Sequence, residues 1–369
     1  MTPAGIGSGV LTHVKHWAQH VDLERFDPVA ILGVRDNVDP MGSIRQLRPL
    51  RVVSMPALLS RNYVRAVSSL TQFLDDESIE ILHTVLIQSD IMGALAALFR
   101  GQMALISSSV GYPYRSSTQP WKKFIYRITY SSLHRRFDRI LTSSHHTRDK
   151  LEIDFGVSPS RTQVIHNCVT GEIIDTTEHF SVPEGQTPVV GTMSSLIPEK
   201  GVADFIEAAC QIRMRAPRAQ FIVAGDGPES EALQAQANRL GLTRSIEFTG
   251  WTSSALDLMR KLDVFVMPSY EEGLSYVVLE AMACRRPVVS YSVGGIPEVI
   301  TDGEHGILVE RGNTRGLSEA VLRCLENPAW ARRLGEQART RIENEFNAAK
   351  KVRALEQVYC SVLSARGDK

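Results

Sequence analysis

The sequence alternates short apolar runs with longer helical stretches almost throughout, and that alternation constrains the fold more than any other feature. The β-rich runs are PVAIL, LRVVSM, IEILH, MALISS and DRILTS in the first half, then VVGTM, AQFIVAG, SIEFTG, DVFVMP, RPVVSY and GILV in the second. Neighbouring parallel strands need a crossover between them, and a helix is the usual one, so this pattern predicts parallel sheets wrapped by helices. At 369 residues the chain is long for one core and comfortable for two. Asn167 to Pro188 is rich in Thr, Glu, Gly and Pro and shows no clear period, which marks a linker. The expected division is an N-terminal Rossmann-like domain over 1–170, a linker over 171–187, a C-terminal Rossmann-like domain over 188–345 and a closing amphipathic helix over 346–369.

Composition removes several function classes. Lys plus Arg and Asp plus Glu both number 41, and the isoelectric point is about 7.2, so no global charge argues for nucleic acid. The five cysteines are scattered, odd in number and without a CxxC pair, which fits reduced thiols and a cytoplasmic setting better than a disulfide framework or a zinc site. With no run of 18 apolar residues and no charged-then-apolar start, neither a membrane span nor an export signal is expected. One irregularity stands at the beginning. The glycine-rich stretch PAGIGSG opens at the third residue, leaving nothing to form the strand that ordinarily feeds such a loop. The expectation is a missing first N-domain strand and a start codon placed too late.

The strongest site signal follows DVFVMP. Ligands of open αβ sheets bind beyond the carboxyl ends of strands, where helix N-termini offer N–H groups and a positive dipole end to phosphates. Glu272 and Gly273 fall in the loop. With a helix starting near Ser275, Glu280 lies on its second turn, and the two carboxylates stand on the order of 10 Å apart, a spacing that suits two ends of one elongated ligand. Glu280 is the only charge between Tyr276 and Cys284, and a carboxylate among apolar neighbours is costly unless hydrogen-bonded. The plain alternative is that Glu280 occupies the exposed stripe of a mostly buried helix, with Glu271 and Glu272 as solvated loop charges.

The segment PSYEEGLSYVVLEAMA resembles the E-x7-E signature of retaining glycosyltransferases of family 4, whose GT-B fold has two facing Rossmann-like domains with a cleft between them. RPVVSYSVGGIPEVITDGEHGILV, with Gly294, Gly295, Pro297 and Glu298, is similar to the family's next strand, glycine turn and helix; VAGDGPE and VIHNCV resemble two further family motifs. The likeness is dense from about Val164 to Val309. It implies that Glu272 lies beside the transferred sugar and stabilises positive charge at the anomeric carbon, and that Glu280 accepts from the ribose hydroxyls. The N–H groups of Leu274, Ser275, Tyr276 and Val277 would meet the diphosphate, Lys200 would neutralise it as it leaves, and Gly225 would support the donor from its turn. The glycine loop with Gly7 and Gly9 would face the donor phosphates, and the terminal helix would pack back on the N-domain. The resemblance implies no metal and no bound cofactor, a nucleotide diphosphate sugar as donor, and a glycan or lipid-linked acceptor.

The chain departs from the family in three places: Ser195 stands where an arginine usually pairs with the lysine, Val110 where many relatives carry a sugar-contacting histidine, and the first strand is missing. A serine cannot replace a bidentate guanidinium on a diphosphate. His83, closing IEILH, is a candidate acceptor contact, although a lone histidine is more often structural. His13, His16 and His20 share a helical face, but no carboxylate or cysteine completes a metal set in that stretch. Trp121 to Arg139 carries six basic residues and one acid with interleaved aromatics, which fits either an anionic membrane surface or an ordinary helix whose aromatics fill the core. Two rivals to a hexosyltransferase remain: a non-catalytic sugar-nucleotide-binding partner subunit, and another GT-B enzyme such as a nucleotide-sugar epimerase or a phosphorylase.

Overall fold

Each β-rich run singled out above is a strand in the computed structural model, which describes residues 8–32, 50–59, 62–100, 103–109, 118–170, 173, 187–252 and 254–367. The chain divides into two units, Met1–Asn167 with Ala348–Lys369, and Cys168–Asn347.

The first unit holds β1 (Val29–Leu32) and β2 (Arg51–Ser54), paired in parallel, and a second parallel sheet of order β3-β4-β5-β6, built from Ile81–Val85, Ala104–Ser109, Arg139–Thr142 and Thr162–Val164. Its helices are α1 (Ser8–His20), α2 (Tyr63–Asp76), α3 (Ile87–Ala96), α4 (Pro120–Leu133) and α5 (His145–Phe155). Among the described residues no strand joins the two sheets; the expectation of a missing first strand concerns residues before Ser8, which lie outside the described residues. Gly7 and Val110 lie outside the described residues, and Gly9 is the second residue of α1.

Strand β4 is buried at all six positions, as expected of a parallel strand covered on both faces; its first half, Ala104 to Ile106, is apolar and its second, Ser107 to Ser109, is small and polar. One face packs Leu82, Leu105 and Ile140 against Leu74, Leu151 and Phe155. On the other, Ala104, Ile106 and Leu141 meet Leu355, Val358, Tyr359 and Val362 of the helix spanning Ala348–Gly367. That closing helix therefore belongs to the first unit. Arg366 anchors it, donating from Nε and Nη2 to the two carboxylate oxygens of Asp138 at 3.1 and 2.9 Å.

The second unit is one six-stranded parallel sheet of order β12-β11-β10-β7-β8-β9, with β7 Val189–Met193, β8 Gln220–Ala224, β9 Ile246–Gly250, β10 Val264–Met267, β11 Val288–Tyr291 and β12 Ile307–Val309. Helices α6 (Val202–Arg215), α7 (Ser230–Arg239), α8 (Ala255–Arg260), α9 (Tyr276–Ala283), α10 (Ile296–Val299), α11 (Thr314–Glu326) and α12 (Pro328–Glu345) cover it, and α13 is the closing helix Ala348–Gly367. Apolar side chains fill both faces. The unit begins at Cys168, three residues before the expected linker: Val169 is fully buried in this core, and its N–H donates to the Phe346 carbonyl at 3.0 Å. Of the expected linker, Ile173 is described and is also packed in this core.

Candidate active site

Strand β7 pairs with β8 on one side and with β10 on the other, so the chain order reverses between β7 and β10. Loops leaving the carboxyl ends of two such strands run apart and leave a crevice, the usual ligand position in an open αβ sheet. After β7 that loop is 194–201, and after β10 it is 268–275.

Glycines let these loops touch. Gly201 has φ +63°, and a Cβ there would stand 2.0 Å from the Pro268 carbonyl oxygen, so only glycine permits this approach. The contact sets Lys200, next in the chain, against the second loop. Its Nζ lies 2.6 Å from Glu272 Oε1, and Ser269 Oγ donates to the same oxygen at 2.8 Å. Gly294, after β11, takes φ +58° with its absent Cβ 1.8 Å from the Glu272 carbonyl oxygen. Beside it, Gly295 N–H donates to the Gly273 carbonyl at 2.7 Å. Gly225, after β8, closes on the Ser194 carbonyl in the same manner, at 1.8 Å. Four loops at one edge of the sheet are thus keyed together, and Glu272 sits where three of them meet. Its side chain is 9% exposed against 25% for Lys200, so the pair is partly withdrawn from water while the ammonium still reaches solvent.

A second set of contacts fixes the Glu272 loop. Asp204, in the first turn of α6, accepts from the hydroxyls of Tyr270 and Tyr291 at 2.7 and 2.6 Å, and the two rings stack at 6.0 Å with planes 15° apart. Burial and the Asp204 hydrogen bond push the Tyr270 phenol up to about 12, and the same causes raise Tyr291. Both phenols therefore remain protonated donors across the physiological range. The Tyr270 N–H also donates to the Glu199 carbonyl at 2.8 Å, tying this loop to the one that carries Lys200.

Helix α9 begins at Tyr276, with Ser275 as an extended N-cap whose side chain makes no capping bond. Its first-turn N–H groups and positive dipole end stand at the carboxyl edge of β10, the geometry that receives a phosphate. Glu280 is half-buried on the second turn, beside Leu279 and Ala281, both fully buried.

Residues 8–168 match the family described as glycosyl transferase 4-like domain, and 187–327 match the one described as glycosyl transferases group 1. Over 300 residues the chain is 30% identical to 2-deoxystreptamine N-acetyl-D-glucosaminyltransferase of Streptomyces fradiae, covering 74% of this chain and 70% of that one. The chain belongs to the family 4 type of glycosyltransferases. It is also 35% identical over 153 residues to alpha-D-kanosaminyltransferase of Streptomyces kanamyceticus, a match spanning 41% of this chain and 40% of that relative's length. Anabaena HepE, solved in complex with UDP-glucose, superimposes with a TM-score of 0.81 at 20% identity over 96% of each chain, a likeness of GT-B fold.

In this family 4 type chain, the candidate residues of the second unit gather at one sheet edge: Lys200 and Ser195 after β7, Gly225 after β8, and Glu272, Gly273, Leu274, Ser275, Tyr276, Val277 and Glu280 after β10. Ser195 is exposed at the start of its loop, five residues before Lys200. His83 has a different setting. Its Nδ1 lies 2.7 Å from the Tyr359 hydroxyl and its Nε2 2.8 Å from Ser108 Oγ, and burial pulls its pKa down to about 4. A neutral ring with both nitrogens engaged braces α13 against β3 and β4. Sequence reasoning missed Ser269, Asp204, Tyr270 and Tyr291. For Ser269 a signal existed in its place between Pro268 and Glu272 at a strand's carboxyl end; the Asp204 contacts span 66 and 87 residues and left none.

Proposed function

We propose that the protein is a retaining hexosyltransferase that moves a sugar from a nucleoside diphosphate to a glycan or lipid-linked acceptor, with the second unit as the donor site. The observation that carries this reading is the Lys200–Glu272 pair at the β7/β10 switch point, next to an α9 N-terminus that its own N-cap side chain does not cap. The diphosphate sits against the N–H groups of Leu274 to Val277, and the Lys200 ammonium turns toward it as negative charge grows on the leaving group. Glu272, held by Ser269, orients the sugar hydroxyls and stabilises positive charge at the anomeric carbon. Glu280 accepts from the ribose hydroxyls. Lysine and the helix terminus together supply the positive charge the departing diphosphate needs, so the reading assigns no metal. It places the protein in the cytoplasm, with a peripheral position at the inner membrane face where the acceptor is lipid-linked. No described helix is long and apolar enough to cross a membrane.

Retention is tested by proton NMR of the first product formed from an α-linked donor. An α-configured product supports the reading, and a β-configured one contradicts it. A second reading, a sugar-nucleotide-binding partner subunit, is favoured by Ser195 in the arginine position, since a hydroxyl leaves a diphosphate oxygen without a charge-assisted contact worth about 2 kcal/mol. It predicts donor binding with no release of nucleotide.

A further inference from the structure

Helix α4 is packed the opposite way round from an ordinary surface helix. It buries Tyr130, half-buries Lys123 and Tyr126 along the same side, and turns Trp121, Phe124, Ile125 and Ile128 outward. Those four side chains are 60%, 64%, 52% and 53% exposed. Their spacing of i, i+3, i+4 and i+7 makes one continuous stripe on a helix of 3.6 residues per turn. Tyr130 fills the core while Trp121 and Phe124 do not, and a continuous exposed apolar stripe marks an interaction surface.

The charge around the stripe is one-sided. Lys122 and Arg127 flank it on its two sides and are exposed, and Arg135 and Arg136 stand exposed in the short turn that follows α4. From Pro120 to Arg136 there are five Lys and Arg residues and no acid, in a chain whose totals balance at 41 and 41. The Lys122 ammonium lies over the Trp121 ring, 5.4 Å from its centroid, so the cation and the indole share one side of the helix.

We propose that α4 and the basic turn after it seat the first unit on an anionic lipid bilayer, with Trp121, Phe124, Ile125 and Ile128 entering the headgroup and acyl boundary and the basic residues meeting lipid phosphates. The inference is independent of the donor chemistry. A second copy of the chain is the poorer occupant: a symmetric contact through this face sets four exposed cations, Lys122, Arg127, Arg135 and Arg136, against four, and the segment has no carboxylate to answer them. A bilayer supplies what the patch lacks, a dense negative surface over an apolar layer in which indole and phenyl rings rest.

The test is co-sedimentation of the full chain with vesicles of phosphatidylcholine alone and of phosphatidylcholine with phosphatidylglycerol in equal parts. The expected result is binding to the anionic vesicles, weakened by salt, with little binding to the neutral ones. The double substitution Lys122→Glu with Arg127→Glu, and the triple Trp121→Ser, Phe124→Ser and Ile128→Ser, should each weaken binding at least about tenfold. Unchanged thermal unfolding in buffer shows that each variant is folded. As a local readout, the blue shift of tryptophan emission on adding anionic vesicles should vanish in Trp121→Phe. Wild-type protein that ignores both vesicles, or folded variants that bind as tightly as wild type, would overturn the proposal. So would a solution dimer that the triple substitution dissociates, because it would give the face to a second copy.

Discussion

The two units use polar residues in opposite ways. In the second, acids and lysine stand at the carboxyl edge of the sheet, on loops that glycines hold in contact, and Glu272 is oriented by Lys200 and Ser269 toward a crevice. In the first, polar groups of the strands and of α3 are turned inward as internal braces. His83 is held between Tyr359 and Ser108. Asp90, almost fully buried on α3, accepts from Thr84 Oγ1 at 2.5 Å and is pushed up to about 7 by burial, against the Thr84 hydrogen bond that pulls it down. A titratable residue on a Rossmann-like strand or helix is thus no guide to chemistry by itself. The loops at the carboxyl edge decide whether it faces a ligand or a neighbouring element.

The contrast breaks first at Glu272. Glu272→Ala should lower turnover on the order of a hundredfold or more while leaving donor affinity within a few-fold, measured as kcat against the dissociation constant for the donor. Next come two glycines with the same backbone angle and different surroundings. Gly294→Ala places a Cβ 1.8 Å from the Glu272 carbonyl oxygen and should both destabilise the protein by roughly 2 kcal/mol or more and depress turnover. Gly156→Ala, at φ +64° with nothing within 4 Å, should cost about 1 kcal/mol and leave turnover unchanged. Glu280→Ala should weaken donor binding about tenfold with little effect on kcat.

The smallest effects belong to the internal braces and are read as stability against pH. The His83 pKa is depressed to about 4 in the fold, so the unfolded chain takes up the proton first. As pH falls from about 6.5 to about 4, wild type should lose stability relative to His83→Gln, with no difference in slope above that window. Asp90 has the opposite sign. Its carboxyl is raised to about 7, so the fold binds the proton more tightly, and its stabilising contribution, present at low pH, is lost as pH rises from about 4 to about 7. Asp90→Asn should therefore gain on wild type across that window, checked by denaturant midpoints at a series of pH values.

Much of this was legible in the sequence where burial writes a pattern. Eleven strands could be read because their cores are short apolar runs, continuous where a parallel strand is covered on both faces, as β10 is at every position. β6 could not: its three residues, Thr162, Gln163 and Val164, have neither length nor apolar content, and its pairing with β5 creates it. The start of α9 at Tyr276 followed from Ser275, and Glu272 from its place after β10. The clamp on that loop was not legible, because Asp204 meets Tyr270 and Tyr291 only once β7, β10 and β11 lie side by side. The role of His83 depends on Tyr359, 276 residues away. For α4, the sequence showed basic residues interleaved with aromatics but not which side chains face outward; the burial of Tyr130 and the exposure of Trp121, Phe124, Ile125 and Ile128 show that.

The central claim is that the second unit binds a nucleoside diphosphate sugar and the Lys200–Glu272 pair helps to cleave it. It is tested most directly by a panel of UDP-, GDP- and ADP-sugars offered to wild-type protein and to Glu272→Ala, with thermal shift and nucleoside diphosphate release read on the same samples. The account predicts one donor class that stabilises both proteins, with release of nucleotide from wild type and almost none from the variant. Binding without release in wild type, or equal release from both proteins, would contradict it.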